Sequence, residues 1–497
     1  MSSLVLLLVV LAIFAGNVHC ALKLASEFHS HMVLQRGPQH AVLWGTASTE
    51  GDTVTAKVTG QGSHIAPVTT KVTNGHWKLK LHAVTQKGPF VITVSSSEGD
   101  VTLNDVLFGD VWLCSGQSNM YFTFNSVMNA TAEIQNALHY HDVRFTRAKL
   151  VQSATPQTNM VFDIPWTGPT TQRLSQSSAV CWLFGQYLYD HLHYPIGLIE
   201  SSWGGTPIEA WSPPEAIHDC SGTTKRGPRA NSVLWNAMIN PLLGMTLYGA
   251  IWYQGEGNAG HAAKYSCQIQ ALVNRWREAF NKQSLRETDI HFPFGYVQLA
   301  GNAHNDAVGS FPAERWAQTA NHGYSPNPDL PNTFMAVAMD LPDFDSPRGT
   351  IHPRYKQDVA ERLVLGALNV AYGQNDVTFQ GPFPTRFTRN EAQHKLTIEY
   401  DHGHTPIEIR SQDGFEVCCS ATSTTKCTEG HDQWVAAPIT GHNAGHVTVS
   451  YAGCGTRHLV GMRYEWKTSP CEYKMCTVYA SDSELPAPTY ITHTLPQ

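Results

Sequence analysis

At 497 residues the chain exceeds one ordinary domain, so two or three are expected. A hydrophobic content of 42% against 15% charged residues describes a globular protein, not a disordered one. A net charge of −7 and a pI of about 6.4 argue against a nucleic-acid partner or a polybasic membrane contact.

The first element in chain order is a leader. Leu4 to Phe14 is a short apolar run at the extreme N-terminus, too short to span a membrane and followed by small or neutral residues up to Cys20. Residues 1–20 therefore read as a secretory signal, although no charged side chain precedes the apolar run. No later segment has the length and apolarity of a membrane anchor.

Residues 21–105 read as a small β-sandwich-like domain, from β-rich runs such as Thr53–Val58 and Phe90–Val94 bounded by Gly, Ser and Asn. Residues 106–374 change to strand followed by helix. Strands are expected at Val111–Cys114, Ile196–Glu200, Leu247–Tyr253, Phe294–Leu299 and Thr333–Met339. Between them, Tyr265, Ile269, Leu272, Val273, Trp276 and Phe280 share one helical face, as do Val359, Leu363, Ala367 and Val370. This alternation predicts an α/β domain, a parallel sheet wrapped by helices, with its site at the strand ends. Residues 375–497 return to a β pattern, for example Lys395–Tyr400 and His446–Ser450.

The cysteines point the same way. Of 11, Cys20 falls in the leader, which leaves an even set, and six cluster late: Cys418, Cys419, Cys427, Cys454, Cys471 and Cys476. In a secreted chain these predict disulfides. Zinc is the rival reading, but Cys471 and Cys476 lack the usual spacing and the adjacent Cys418 and Cys419 suit tetrahedral ligation poorly. Asn129-Ala130-Thr131 is a glycosylation sequon.

The segment richest in chemistry is Asp110 to Met120, an apolar run that breaks into a small-polar turn with Ser118 at its tip. A strand-to-helix turn can lift a side chain clear of a sheet edge. A serine there can also simply cap a helix. To be a nucleophile it needs a base and donors for an oxyanion. Trp203-Gly204-Gly205 offers a glycine turn, Trp252 to Asn258 an asparagine after a second apolar run, and Thr350-Ile351-His352-Pro353 a histidine just before a helix. His261 and His304 also sit in loops.

Taken together, Gly116 to Met120, Trp203 to Trp211, Trp252 to Asn258 and Ile351-His352-Pro353-Arg354 resemble the SGNH branch of the GDSL-type hydrolases, and within it the sialate O-acetylesterase family. The flanks are similar too, with Met32 to Arg36 and Trp44-Gly45 early and Val460 to Trp466 late, so the resemblance covers nearly the whole mature chain. It implies that Ser118 is the nucleophile and His352 the general base and acid. It also implies that the oxyanion is met by the Ser118 N–H, the Gly205 N–H and the Asn258 amide. Gln117, Gln254 and Glu256 become candidates for supporting the reacting groups or the substrate, and Trp203 for stacking on a sugar, although a buried tryptophan is more often core. No metal or organic cofactor is implied.

The wider superfamily carries an aspartate three residues before the histidine, where this chain has Gly349. Two arrangements stay open. One of Asp340, Asp343 and Asp345 orients His352, or a main-chain carbonyl does, which makes a serine–histidine dyad. The expected substrate is an O-acetylated sugar, sialic acid first, whose carboxylate would favour an arginine such as Arg348 or Arg354. An acetylesterase for other glycans such as acetylated xylan, and a catalytically silent glycan-binding protein, are the alternatives.

Overall fold

The computed structural model describes residues 21–62, 65–220, 226–304, 308–401, 406–423, 426–428 and 433–495. The expected leader, residues 1–20, lies outside the described residues.

The fold is organised by one long strand, Gly99–Gly116. Its first half pairs antiparallel with Phe90–Ser96, and residues 107–109 run parallel to Val33–Gln35, which ties it to the N-terminal β-region. Residue 105 lies inside this strand, at a left-handed position, φ 54°. The second half, from Asp110, is the centre of a larger sheet. Across that sheet the order is Phe162–Thr167, Val143–Ala148, Ile196–Ser202, the long strand, Gly249–Tyr253, Phe294–Gln298 and Thr333–Val337. All neighbours are parallel except the edge strand Phe162–Thr167.

Each expected strand is present within two residues at either end, save that Val111–Cys114 is the tail of a much longer one. Alternation decides the packing. Val111 and Leu113 join one core with Trp252, while Trp112 and Cys114 join the other with Ile251 and Tyr253. Both faces are buried, as a parallel sheet requires. The helix Ala262–Gln283 covers the first face with the six residues read from its periodicity, all fully buried. Ala179–Leu192 and Lys356–Gly366 cover the second. The C-terminal region adds two four-stranded antiparallel sheets, docked by the buried Arg315, which donates to the carbonyls of Lys467 and Thr468 at 2.7 Å each.

Ten cysteines form five disulfides: Cys114–Cys181, Cys220–Cys267, Cys418–Cys427, Cys419–Cys454 and Cys471–Cys476. Adjacent Cys418 and Cys419 serve different bridges because successive side chains of a strand point to opposite faces. Five disulfides fit an extracytoplasmic protein. Thiol titration of the native protein should find no free thiol among these ten. Cys454→Ala, which opens a bridge of sequence separation 35, should cost about 2–5 kcal/mol in denaturant unfolding.

Candidate active site

Three neighbouring strands of the sheet end on the same edge, and each leads into one of the predicted motifs. Ser118 follows the long strand, Gly204 and Gly205 follow Ile196–Ser202, and Gly255 to Asn258 follow Gly249–Tyr253. The chain order reverses across the long strand, and such a switch point opens a crevice at the carboxyl ends of the strands. A cleft of about 570 Å³ opens there, with Ser118, Gly204, Gly205 and His352 in its lining.

The turn under Ser118 is possible only with glycine. Gly116 has φ 138°, and a Cβ there would lie 2.2 Å from the Tyr253 carbonyl oxygen. Ser118 begins a four-residue helix instead of capping it, and its hydroxyl holds no hydrogen bond among the described residues. Gly204 approaches it closely, since a Cβ on Gly204 would lie 3.3 Å from the Ser118 Cβ. The main-chain N–H groups of Ser118 and Gly205 have no partner among the described residues, so both remain free to donate.

His352 arrives on a self-closed loop. Its N–H donates to the Gly349 carbonyl at 2.9 Å, and its own carbonyl accepts from the Ser346 hydroxyl at 2.7 Å. Gly349 adopts φ 87°, a left-handed conformation that suits glycine where the superfamily has aspartate. The turn brings the Arg348 carbonyl to 2.8 Å from His352 Nδ1, so that ring nitrogen carries the hydrogen and Nε2 is the free base. The aspartates face elsewhere. Asp340 is held by Arg362 and the Tyr479 hydroxyl, Asp343 by Arg354, and Asp345 is exposed.

Burial lowers the His352 pKa below its ordinary 6.5, and the nearby Lys356 cation lowers it further. Lys356 is itself fully buried, its pKa pushed down to about 7, and its Nζ donates to Asn119 Oδ1 at 2.7 Å. Asn119 Nδ2 in turn donates to Glu256 and, at 2.9 Å, to the Ile351 carbonyl. One buried asparagine thus fastens the serine turn to the histidine loop and to the third motif.

The other predicted residues divide. Gln117 and Glu256 line the cleft. Gln117 Oε1 accepts from the Gly257 N–H at 2.9 Å and from Gln254 Nε2 at 3.2 Å. Gln254 is buried behind it and braces the loop through Asn258 and Tyr265. Asn258 is buried and outside the cleft lining; its amide donates to Glu209 at 2.9 Å, and its Oδ1 accepts from the Ile208 N–H. Trp203 is half-buried against the core, outside the lining. The Arg348 side chain reaches the Ser126 hydroxyl at 3.3 Å, also outside it. Asn129 is exposed at a left-handed position opening a helix, with its amide unused in capping. Asn119, Lys356 and Arg229 have no expected role in the sequence. Asn119 stood inside the Ser118 motif and Lys356 four residues after His352, while Arg229 carried no local signal.

An open α/β sheet that brings a serine and a histidine to one cleft at its carboxyl edge has the architecture of the SGNH-type ester hydrolases. Two family profiles match: "Carbohydrate esterase, sialic acid-specific acetylesterase" over residues 108–354, and "Sialate O-acetylesterase C-terminal domain" over residues 385–494. The human sialate O-acetylesterase is 43% identical over 94% of this chain and 92% of its own length. The mouse protein of that name is 40% identical over 98% of this chain and 97% of its own. The crystal structure of a carbohydrate acetylesterase from Xanthomonas citri superposes with a TM-score of 0.79 at 27% identity, covering 95% of this chain and 99% of that one. The chain belongs to the sialate O-acetylesterase family, and it is a hydrolase of carboxylic esters that acts as a carbohydrate O-acetylesterase.

Proposed function

We propose that this esterase removes O-acetyl groups from sialic acids through an acetyl-serine intermediate, with Ser118 as nucleophile and His352 as base. The observation that carries the mechanism is the imidazole held at Nδ1 by the Arg348 carbonyl, on the same cleft as an unbonded serine hydroxyl. His352 Nε2 takes the hydroxyl proton as Ser118 Oγ attacks the acetyl carbonyl. The Ser118 and Gly205 N–H groups receive the oxyanion, each donor lowering the barrier by roughly 3–4 kcal/mol. Collapse breaks the bond to the sugar oxygen, which leaves with the proton from the imidazolium. Water then repeats the sequence on the acetyl-enzyme and releases acetate. Asn258, whose amide is held by Glu209, bears on the oxyanion site through the loop it braces.

Acetate release from O-acetylated sialic acid, compared with acetylated xylan and other neutral acetylated glycans, tests the substrate. Much higher kcat/KM on the sialic acid supports the reading, and preference for a neutral glycan sinks it. The exposed Asn129 sequon and the disulfides suit passage through the secretory route, to the exterior or the lysosome.

The pH profile follows from the histidine. The base works only when neutral, so activity is full above the His352 pKa and lost as pH falls through it. Burial and Lys356 lower that pKa, so the acid limb of kcat/KM should lie below 6.5, which suits an acidic compartment. Lys356→Met removes the neighbouring cation and should move the limb to higher pH. An unmoved limb, read from the midpoint of the profile, would remove Lys356 from the account.

A further inference from the structure

We infer that Arg229 forms a carboxylate-binding subsite in the cleft and is the residue that recognises an acidic sugar. Arg229 lines the cleft beside Ser118, Gly205 and His352. Its guanidinium lies over the glycine turn, for a Cβ on Gly205 would stand 3.3 Å from Arg229 Nη2. A side chain at 205 would therefore press on the arginine as well as strain the φ of 71°.

The guanidinium has no hydrogen bond and no acidic partner among the described residues. The other described cations near the site are placed differently. Arg354 is paired with Asp343 at 2.6 Å, Lys356 is buried beneath the floor on Asn119, and the Arg348 side chain lies outside the lining. Glu256, the acid of the lining, is held by Asn119. Among the described residues, the cleft thus offers one cation with its donors free, a few ångströms from the turn that carries the Gly205 N–H. A guanidinium fork matches a carboxylate in two parallel hydrogen bonds, and fits neutral hydroxyls far less selectively.

The backbone on its C-terminal side is hydrogen-bonded. Arg229 follows Pro228 in the short turn Gly227–Arg229, the Ala230 N–H closes that turn on Gly227, and the Ser232 N–H donates to the Glu209 carbonyl at 2.9 Å. The arginine therefore starts from an anchored Cα, which lowers the ordering cost of clamping a ligand.

This inference rests on the sialic-acid reading, and its test separates the two. Acetate release is measured on an O-acetylated sialic acid and on the same sugar with its carboxylate converted to a carboxamide, with a chromogenic neutral acetate as a third substrate. The readout is the ratio of kcat/KM for acid over carboxamide, in which any general loss of catalysis or of folded enzyme cancels. Wild type should favour the acid, and Arg229→Gln should lower the ratio about 10- to 100-fold, the range for a hydrogen-bonded charge pair. Arg229→Lys should fall between, since it keeps the charge and loses the fork. An acid preference that survives in Arg229→Gln overturns the subsite and leaves the substrate reading standing, as does a wild type that cleaves both sugars equally. A wild type that cleaves the neutral acetate but neither sugar overturns the substrate reading and the subsite with it.

Discussion

Ser118→Ala should abolish ester hydrolysis, with kcat/KM lowered by about four to six orders of magnitude, as when a serine hydrolase loses its nucleophile. Among the described residues, no neighbouring group can replace the hydroxyl. The cleft lining holds, among the described residues, no other serine, threonine or cysteine, and all ten described cysteines are in disulfides. The fold should not notice the change. Ser118 sits at the first position of a helix, its hydroxyl unbonded, where alanine is tolerated. Its cost should lie within about 0.5 kcal/mol, in contrast to a change at Gly116, whose φ of 138° and contact with Tyr253 shape the turn. The measurement is turnover of a chromogenic acetate ester alongside Tm. Near-normal turnover by a pure, folded Ser118→Ala protein sinks the mechanism.

What was legible in the sequence is what repeats at short range. Short apolar runs placed the core strands, and a helical stripe from Tyr265 to Phe280 became the buried face of one helix. The strand Val143–Ala148 escaped because Arg144 and Arg147 interrupt its apolar pattern. Both arginines are buried in the strand and reach out to Asp105 and Asp163, so the strand is fully buried despite two cations. The site followed the same rule. Motifs marked by a glycine turn at a strand end were found, since local conformation demands the residue type. What the side chains touch was not, because it depends on elements far apart in the chain. The direction of the Asn258 amide is set by Glu209, 49 residues away, and the bridge from Asn119 to Ile351 spans 232. Arg229 enters the cleft from a segment with no chemical signature at all. Gly349 in place of aspartate was visible, while the carbonyl brought round by its left-handed turn needed three dimensions.

The carbonyl arrangement sets His352 and the three aspartates apart. His352→Ala should be nearly as damaging as Ser118→Ala, since among the described residues the cleft lining holds no other imidazole and its carboxylate, Glu256, is turned to Asn119 through Oε1. The aspartates should behave differently from it and from one another. Asp345→Asn should keep activity and stability, because Asp345 is exposed. Asp340 is fully buried and bonded to Arg362 by both oxygens, so Asp340→Asn leaves a buried guanidinium without its anion and should cost about 3–5 kcal/mol of stability. Burial works against the ionised form of Asp343, but Arg354 outweighs it and holds the carboxyl below its usual range. Asp343→Asn should therefore loosen the loop that carries His352, at a smaller cost since Arg354 is partly exposed. In both variants the loss should appear in Tm and in the fraction folded, while kcat per folded enzyme stays within several-fold. A triad aspartate acts otherwise: its amide favours the wrong imidazole tautomer and lowers turnover by about 10⁴-fold in the serine proteases. Here the tautomer is set by the Arg348 carbonyl, which accepts the Nδ1 hydrogen whatever occupies positions 340, 343 and 345. A 10⁴-fold fall in kcat at any one of the three, with Tm unchanged, would overturn the dyad and identify the carboxylate that orients His352.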